Sequence, residues 1–261
     1  ALVTGAAKRV GRAVALELAR AGFDVAIHYR KSKEAAENVV ATCEEMGGQA
    51  WLLQGDLAKE SDILRMSEAL RNRWSSLDIL VNNASLFEPV PFTEITTAQW
   101  DEMQAVNVRA PFLLSRECVP LLQAKSGLVV HLCDIGGDRP MPGYAHYSVS
   151  KSAIIGLVKA MAVELGPNIR CVGVSPGHVV WPEDWDASLR EERQRRGHRQ
   201  TWEQQEQRRQ QPWEPLLQGQ QPRRRGQQQQ EQEHRRGWQH RPGERGCQPP
   251  RRQSEQREHR R

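Results

Sequence analysis

Short apolar runs alternate along the chain with longer amphipathic segments from the N-terminus to about Arg190. The short runs are almost continuously hydrophobic, as in Ile79-Leu80-Val81, which is typical of strands buried on both faces. We predict strands at Ala1–Thr4, Asp24–His28, Ala50–Gln54, Leu77–Asn82, Gly127–Cys133 and Ile169–Ser175. The amphipathic segments predict helices at Gly11–Ala21, Lys33–Met46, Ser61–Trp74, Thr97–Ala124 and His146–Leu165.

This alternation predicts an α/β fold, a Rossmann-type doubly wound parallel sheet with helices on both faces. Strand–helix–strand units cross over with the right hand and place successive strands in parallel. Ligands bind such sheets beyond the carboxyl ends of the strands. The most distinctive polar residues follow Val3, His28, Gln54, Val81 and Cys133, where predicted strands end. We therefore expect one site along this edge of the sheet.

The composition changes abruptly at Glu191. Residues 191–261 contain no Ala, Val, Ile or Lys, and they are dominated by Arg, Gln and Glu. Such a low-complexity tail cannot bury enough apolar surface to fold, so we predict a globular domain over residues 1–190 and disorder beyond it. Two interpretations of the tail remain open, a flexible basic arm and a segment outside the native reading frame.

The cysteines indicate a reducing environment. No pair has the CxxC spacing of a metal or redox site, and most lie in apolar runs, as buried core cysteines do. We also find no signal peptide and no apolar run long enough to cross a membrane. We therefore expect a cytoplasmic protein without membrane partners and without a metal. The five cysteines are Cys43, Cys118, Cys133, Cys171 and Cys247.

A turn with two glycines joins the first predicted strand to the first helix. Its small residues let the backbone approach a pyrophosphate, and the helix N-terminus offers free N–H groups and a partial positive charge. A simple tight turn is the alternative, because a glycine pair alone is a weak signal. The cofactor-binding candidates in this turn are Thr4, Gly5, Lys8, Arg9 and Gly11.

The end of the second predicted strand distinguishes between the two nicotinamide cofactors. NAD sites usually carry an acidic residue there for the ribose hydroxyls, and this chain has none. Cations and a hydroxyl suit the 2′-phosphate of NADPH instead, although a solvated helix start is the alternative. The residues concerned are His28, Tyr29, Arg30, Lys31 and Ser32. Beside the adenine we expect Asp56 and Leu57, and along the nicotinamide half Asn83 and Ala84.

Tyr147 and Lys151 form a YxxxK pair near the start of the last predicted helix. Residues four apart share a helix face, so the ammonium is expected to lower the pKa of the phenol and make it a usable proton donor. Tyr144 is a rival for this role, but only Tyr147 has a lysine four residues later. We predict that Tyr144 is a wall of the pocket.

These motifs resemble, in order and spacing, the fingerprints of short-chain dehydrogenases/reductases over about residues 1–190. The resemblance implies that Tyr147 is the general acid, that Lys151 also holds the nicotinamide ribose, and that Asn107 takes part in a water-linked proton relay. It adds Ser85, Pro176 and Gly177 to the cofactor site. It also implies a homotetramer, although the tail lacks the last helix and strand that support one in the family.

Two departures from the general family pattern resemble pteridine reductases. Arg9 replaces the middle glycine of TGxxxGxG, and Asp134 replaces the catalytic serine. Ser85 and Phe87 also match residues that line the pterin pocket of that subfamily. The implied activity is NADPH-dependent reduction of dihydrobiopterin or dihydromonapterin, with dihydrofolate as a further candidate. The implied substrate contacts are Arg9, Ser85, Phe87, Asp134 and Tyr147.

Three alternatives remain open, one a second enzyme activity and two from other classes of function. A carbonyl or 3-oxoacyl reductase of the same fold is the first, and Asp134 in place of serine argues against it. A nucleotide-binding remnant without turnover is the second. Nucleic-acid binding through the arginine-rich tail is the third, and it is disfavoured because Glu and Gln interleave with the arginines.

Overall fold

A single parallel sheet organises the computed structural model, which describes residues 1–176 of the chain. The strands are β1 (Leu2–Val3), β2 (Val25–Tyr29), β3 (Ala50–Gln54), β4 (Ile79–Asn82), β5 (Leu128–Leu132) and β6 (Arg170–Val174). The α-helices are α1 (Arg9–Arg20), α2 (Lys33–Glu45), α3 (Glu60–Arg73), α4 (Thr97–Gln104), α5 (Ala110–Gln123) and α6 (Ala145–Leu165).

The strand order confirms the predicted Rossmann-type fold. It runs β3-β2-β1-β4-β5-β6 with every neighbouring pair parallel. Strands β2 and β3 thus lie on one side of β1, and β4, β5 and β6 lie on the other side. This reversal leaves a crevice at the carboxyl ends of β1 and β4, where doubly wound sheets bind their ligands. The loops that follow Val3 and Asn82 face each other there.

The sheet separates two hydrophobic clusters. One contains Leu2 and Leu80 of the sheet with side chains of α3 and α5, and the other contains Val3 and Ile27 with side chains of α1 and α2. Full burial of each large apolar side chain contributes about 1.5–3 kcal/mol. Because side chains alternate between the faces of a strand, β1 supplies both clusters with only two residues.

The predicted helix Thr97–Ala124 contains a feature that periodicity does not reveal. A capping box between Thr96 and Gln99 begins α4, and a π-helical turn at Ala105–Arg109 then joins α4 to α5. Such turns insert one extra residue into a helix and are frequent at functional sites. Asn107, a predicted site residue, lies in this turn.

The other predicted elements agree with the structure to within two residues at each end, and the two-residue differences are the starts of α1 and β4. Within residues 1–176, no helix combines the length and the apolar composition that crossing a bilayer requires. The predictions for Gly177 and for the tail at 191–261 lie outside the described residues.

Candidate active site

The turn between β1 and α1 depends on two glycines. Gly5 has a φ of +61°, in the left-handed region that favours glycine, and a Cβ there would lie 3.1 Å from the Cα of Ala84. A Cβ on Gly11 would lie 2.3 Å from the carbonyl oxygen of Gly5. The N-terminus of α1 therefore packs directly on the turn, and its free N–H groups lie at the crevice.

Thr4 and Asn83 join this turn to the loop after β4. The Thr4 hydroxyl donates to the carbonyl oxygen of Val81 at 3.3 Å, and its oxygen accepts the N–H groups of Asn83 at 2.9 Å and Ala84 at 3.0 Å. The Asn83 side-chain amide donates to the carbonyl oxygens of Thr4 at 2.7 Å and Gly5 at 3.3 Å. Both predicted cofactor loops are thus held as one rigid unit.

His28 and Tyr29, which were predicted to belong to a phosphate clamp, are buried inside the fold. β2 extends to Tyr29, one residue beyond the predicted end, so both side chains are strand residues covered by neighbouring elements. His28 Nδ1 accepts the N–H of Gly5 at 2.9 Å, which leaves Nε2 to donate to the carbonyl oxygen of Gly55 at 3.2 Å. Burial lowers the pKa of His28 to about 4, so the imidazole is a neutral support for the turn.

Arg30, Lys31 and Ser32 follow β2 at the surface, where the clamp was predicted. Arg30 and Lys31 are exposed and Ser32 is half-buried. The Arg30 guanidinium lies between two carboxylates, 4.0 Å from Asp56 and 3.8 Å from Glu102. An anion that reaches Arg30 therefore competes with these carboxylates.

Asp56 and Leu57 differ in what their side chains do. The Asp56 carboxylate accepts the N–H of Ala58 at 3.1 Å, while its own N–H donates to Asp62 at 2.8 Å and lowers the pKa of that carboxyl. Leu57 is buried in the cluster that contains α3 and α5. Of the two, only Asp56 has a partly exposed side chain at the predicted adenine side.

Lys8 and Arg9 are exposed at the start of α1. Arg9 has a φ of +51°, a left-handed conformation that costs a residue with a side chain about 1–2 kcal/mol. The family pattern places glycine at this position, and the backbone gives the reason. Arg9 thus begins α1 at a cost in backbone strain.

Asp134 and Tyr147 are brought together, as predicted, between the end of β5 and the start of α6. The Tyr147 hydroxyl donates to Asp134 Oδ2 at 2.9 Å, and Asp134 Oδ1 accepts the N–H of Gly136 at 2.5 Å. One carboxylate thus caps the 3-10 turn Ile135–Gly137 and holds the phenol. Lys151 Nζ donates to the carbonyl oxygen of Leu132 at 2.8 Å.

The electrostatics of this cluster differ from the sequence-based expectation. Burial, reinforced by the Asp134 carboxylate, raises the pKa of Tyr147, whereas Lys151 was expected to lower it. Burial lowers the pKa of Lys151, and Asp134 partly opposes that shift. The reason is depth, since only 4% of Tyr147 and 5% of Lys151 are exposed. The Lys151 ammonium lies 5.6 Å from the centre of the Tyr147 ring.

The Asn107 side chain is buried and holds the loop after β4. Its Oδ1 accepts the N–H of Leu86 at 2.8 Å, and its Nδ2 lies 3.0 Å from the Leu86 carbonyl oxygen and 3.0 Å from Ser150 Oγ. The side-chain amide therefore contacts protein groups, and the predicted water-linked relay remains a prediction.

Aromatic rings form the wall over Tyr147. The Phe87 ring stacks on Tyr144 with centroids 4.5 Å apart and meets Tyr147 edge-on at 4.7 Å. Phe87 is 51% exposed, so one side of its ring is available to a ligand. Ser85 is exposed beside it, and its hydroxyl donates to the carbonyl oxygen of Leu86 at 3.1 Å. Tyr144 lies in the wall, as predicted.

Ser150 and Glu102 also contact predicted site residues, and neither belongs to a motif of the sequence. Ser150 lies three residues after Tyr147 on α6, a spacing that places both near one helix face, and this was the available signal. Glu102 is distant in sequence from the residues it faces, so no local pattern indicates it. Pro176 is half-buried after β6 at the end of the described residues, and Gly177 lies beyond them.

Comparison with known proteins identifies the family. The family model described as short chain dehydrogenase matches residues 1–193. A 3-oxoacyl-(acyl-carrier-protein) reductase of Staphylococcus epidermidis is 34% identical over 182 residues, which cover 69% of this chain and 75% of that protein. A 3-oxoacyl-(acyl-carrier-protein) reductase of Synechocystis is 32% identical over 182 residues, 69% of this chain and 74% of that protein.

Solved structures agree with this family. A short chain dehydrogenase from Burkholderia cenocepacia in complex with NADP has a TM-score of 0.69 and 35% identity, covering 74% of this chain and 80% of that one. The promiscuous reductase LugOII, which catalyses a keto-reduction in lugdunomycin biosynthesis, has a TM-score of 0.64 and 34% identity, covering 68% of this chain and 73% of that one. The names of these four proteins do not refer to a pterin, so they support the general resemblance and not the pteridine reductase subfamily. The chain belongs to the short-chain dehydrogenase/reductase family.

Proposed function

We propose that this chain is an NADPH-dependent reductase that uses Tyr147 as its proton donor and acts on a carbonyl group of the 3-oxoacyl type. The observation that carries the proposal is the arrangement of Tyr147, Asp134 and Lys151 at the carboxyl end of β5. This cluster lies on the same edge of the sheet as the glycine turn after β1.

The residues around the crevice fit a dinucleotide phosphate. Gly5 and Gly11 leave room for close backbone approach, and the N-terminus of α1 offers donors to a pyrophosphate. Arg30 and Lys31 offer cations to a 2′-phosphate, and Arg9 offers a third near the turn. When bound, a nicotinamide cofactor supplies the hydride. The NADP complex of the Burkholderia relative supports the choice of cofactor.

The proton comes from the chain itself. The raised pKa keeps the Tyr147 phenol protonated at neutral pH, so it has a proton to give, although it also makes the phenol a weaker acid in the absence of ligand. Proton transfer leaves a phenolate, which the buried Lys151 ammonium stabilises by its charge. Burial of both groups excludes water and strengthens this attraction. To reach a substrate, the hydroxyl gives up its bond to Asp134.

The relatives support a carbonyl substrate. Two of them are named as 3-oxoacyl reductases and a third by a keto-reduction, so the chemistry their names share is reduction of a ketone. In this chain Asp134 replaces the serine that would donate to the carbonyl oxygen. A carboxylate only accepts hydrogen bonds, so Tyr147 is the main donor that we assign to the substrate oxygen.

A pterin is the second candidate, and two features of the site favour it. The Asp134 carboxylate is an acceptor for the N–H groups on the edge of a pterin, which a ketone lacks. The exposed side of Phe87 provides a surface for a flat heteroaromatic ring. Dihydrobiopterin, dihydromonapterin and dihydrofolate share this chemistry.

A substrate panel distinguishes the two candidates. Purified protein is mixed with NADPH and a 3-oxoacyl thioester, dihydrobiopterin or dihydrofolate, and NADPH oxidation is followed by absorbance. We expect turnover of the thioester, and Asp134→Ser is expected to increase it by restoring a donor to the oxygen. Turnover of the pterins alone, abolished in Asp134→Ser, would replace the first candidate with the second.

A further inference from the structure

A continuous hydrogen-bond chain joins the loop after β4 to the catalytic helix α6. It begins at Leu86, whose N–H and carbonyl oxygen both bond to the Asn107 side chain, at 2.8 Å and 3.0 Å. Asn107 lies in the π-helical turn between α4 and α5 and is 2% exposed. The same amide donates to Ser150 Oγ at 3.0 Å.

Ser150 completes the connection. Its hydroxyl donates to the backbone carbonyl oxygen of Tyr147 at 2.6 Å, and the side chain is fully buried. A hydroxyl both donates and accepts hydrogen bonds, so Ser150 Oγ accepts the Asn107 N–H while its own O–H donates to the backbone carbonyl oxygen of Tyr147. The π-helical turn and α6 thereby meet at Ser150 Oγ, and the Asn107 side chain connects the loop at Leu86 to both.

We propose that Ser150 is a positioning residue that couples the substrate-side loop at Leu86–Phe87 to Tyr147. The proposal rests on the proposed function in one respect, the assignment of Tyr147 as proton donor. Ser150 holds Asn107 in the orientation that secures Leu86, and it also fixes the turn of α6 that carries the phenol. Loop and proton donor therefore keep a constant separation.

Loss of the Ser150 hydroxyl would weaken the hydrogen bonding of the Asn107 side chain. Asn107 Nδ2 has two protons and three acceptors in reach, the third being the Met103 sulfur at 3.1 Å. Without Ser150 Oγ, one amide proton is left with this sulfur, a weak acceptor. The bond between the π-helical turn and α6 is then lost, and the loop is held from one side only.

Amide hydrogen exchange measured by NMR on the full chain tests the coupling without any substrate. Ser150→Thr and Ser150→Val add nearly the same volume and differ in the hydroxyl, and Ser150→Ala removes the hydroxyl without adding volume. We expect exchange of the Leu86 N–H to be roughly tenfold faster in the Ala and Val variants, the effect of about one hydrogen bond, and unchanged in Thr. The Ile27 N–H in β2 reports global unfolding.

Turnover of the substrate found by the panel provides the second readout. We expect kcat to fall by roughly tenfold in Ser150→Val with little change in KM, and to be restored in Ser150→Thr. Equal exchange of Leu86 in the Thr and Val variants, or an equal acceleration at Ile27, would overturn the coupling. If no substrate is turned over, the proposed function fails while the exchange measurement still decides the role of Ser150.

Discussion

At the scale of single residues, Asp134 and Arg9 each combine a predicted role in the site with a feature of the local backbone. Asp134 caps a turn with one oxygen and holds Tyr147 with the other. Arg9 presents a cation from a backbone conformation that disfavours it. The sequence pattern identified both residues, but their second tasks depend on backbone angles and contacts that one-dimensional spacing does not contain.

Arg9→Gly is expected to separate stability from cofactor binding. Relief of the left-handed conformation should raise the free energy of unfolding by about 1 kcal/mol, while loss of the guanidinium weakens NADPH binding. Urea denaturation and a fluorescence titration with NADPH measure the two effects. Ser126, with a φ of +50° before β5, provides the control, since Ser126→Gly should stabilise equally without changing NADPH affinity. A less stable Arg9→Gly variant would contradict this explanation.

Arg30→Ala tests the assignment of the 2′-phosphate contact. The variant should bind NADPH about tenfold more weakly and NADH as before, because a charge-assisted hydrogen bond contributes about 1.5–3 kcal/mol and only NADPH carries that phosphate. The matched control is Arg20→Ala, which removes an exposed cation at the C-terminal end of α1. An equal loss of affinity for NADPH and NADH would show that Arg30 does not bind the 2′-phosphate.

At the scale of elements, the alternation of strand and helix was sufficient to predict the sheet and most element boundaries. It was insufficient for the π-helical turn at Ala105–Arg109, because an extra residue inside a helix leaves the apolar pattern nearly intact. It also missed Tyr29, the last residue of β2, and it did not indicate that the His28 side chain at the predicted strand end is buried. Side-chain direction at a strand end depends on one residue of register.

The packing of α1 on the turn after β1 gives a prediction for this element. Gly11→Ala should destabilise the protein by about 1–3 kcal/mol and abolish NADPH binding, because the new Cβ meets a backbone oxygen that has no room to move. Gly156→Ala on α6 is the control, since no atom lies within 4 Å of its Cβ position. That variant should be stabilised by about 0.5–1 kcal/mol. Thermal unfolding should show a lower Tm for Gly11→Ala and a higher Tm for Gly156→Ala. A higher Tm for both variants would contradict the close approach of Gly11 to the Gly5 carbonyl oxygen.

At the scale of the whole molecule, two buried histidines lie within the parallel sheet. His28 is on β2 and His131 is on β5, and burial lowers the pKa of each to about 4. Within the described part of the chain, the His131 ring nitrogens have no hydrogen-bond partner. The position of His131 in the middle of an apolar run indicates packing, but the sequence does not reveal the protonation of either ring.

The stability of the fold should therefore fall in mild acid. The unfolded histidines titrate near pH 6.5 and the folded ones near 4, so below pH 6.5 the unfolded state takes up protons that the folded state does not. We expect the free energy of unfolding to drop by about 2 kcal/mol for each histidine, or about 4 kcal/mol in total, between about pH 7 and pH 5. Urea denaturation at both pH values measures it, and His131→Leu should remove about half of the dependence. Stability that is equal at both pH values would contradict the assigned burial.

The central claim is that Tyr147 donates the proton in an NADPH-dependent reduction. The most direct test compares the wild-type chain with Tyr147→Phe, measuring NADPH binding by fluorescence and NADPH oxidation with the substrate panel. We expect nearly unchanged NADPH binding and a loss of turnover of at least about a hundredfold in the variant, the usual contribution of a general acid. Turnover that survives in Tyr147→Phe, with the same substrate and cofactor, would show that the proton comes from another group.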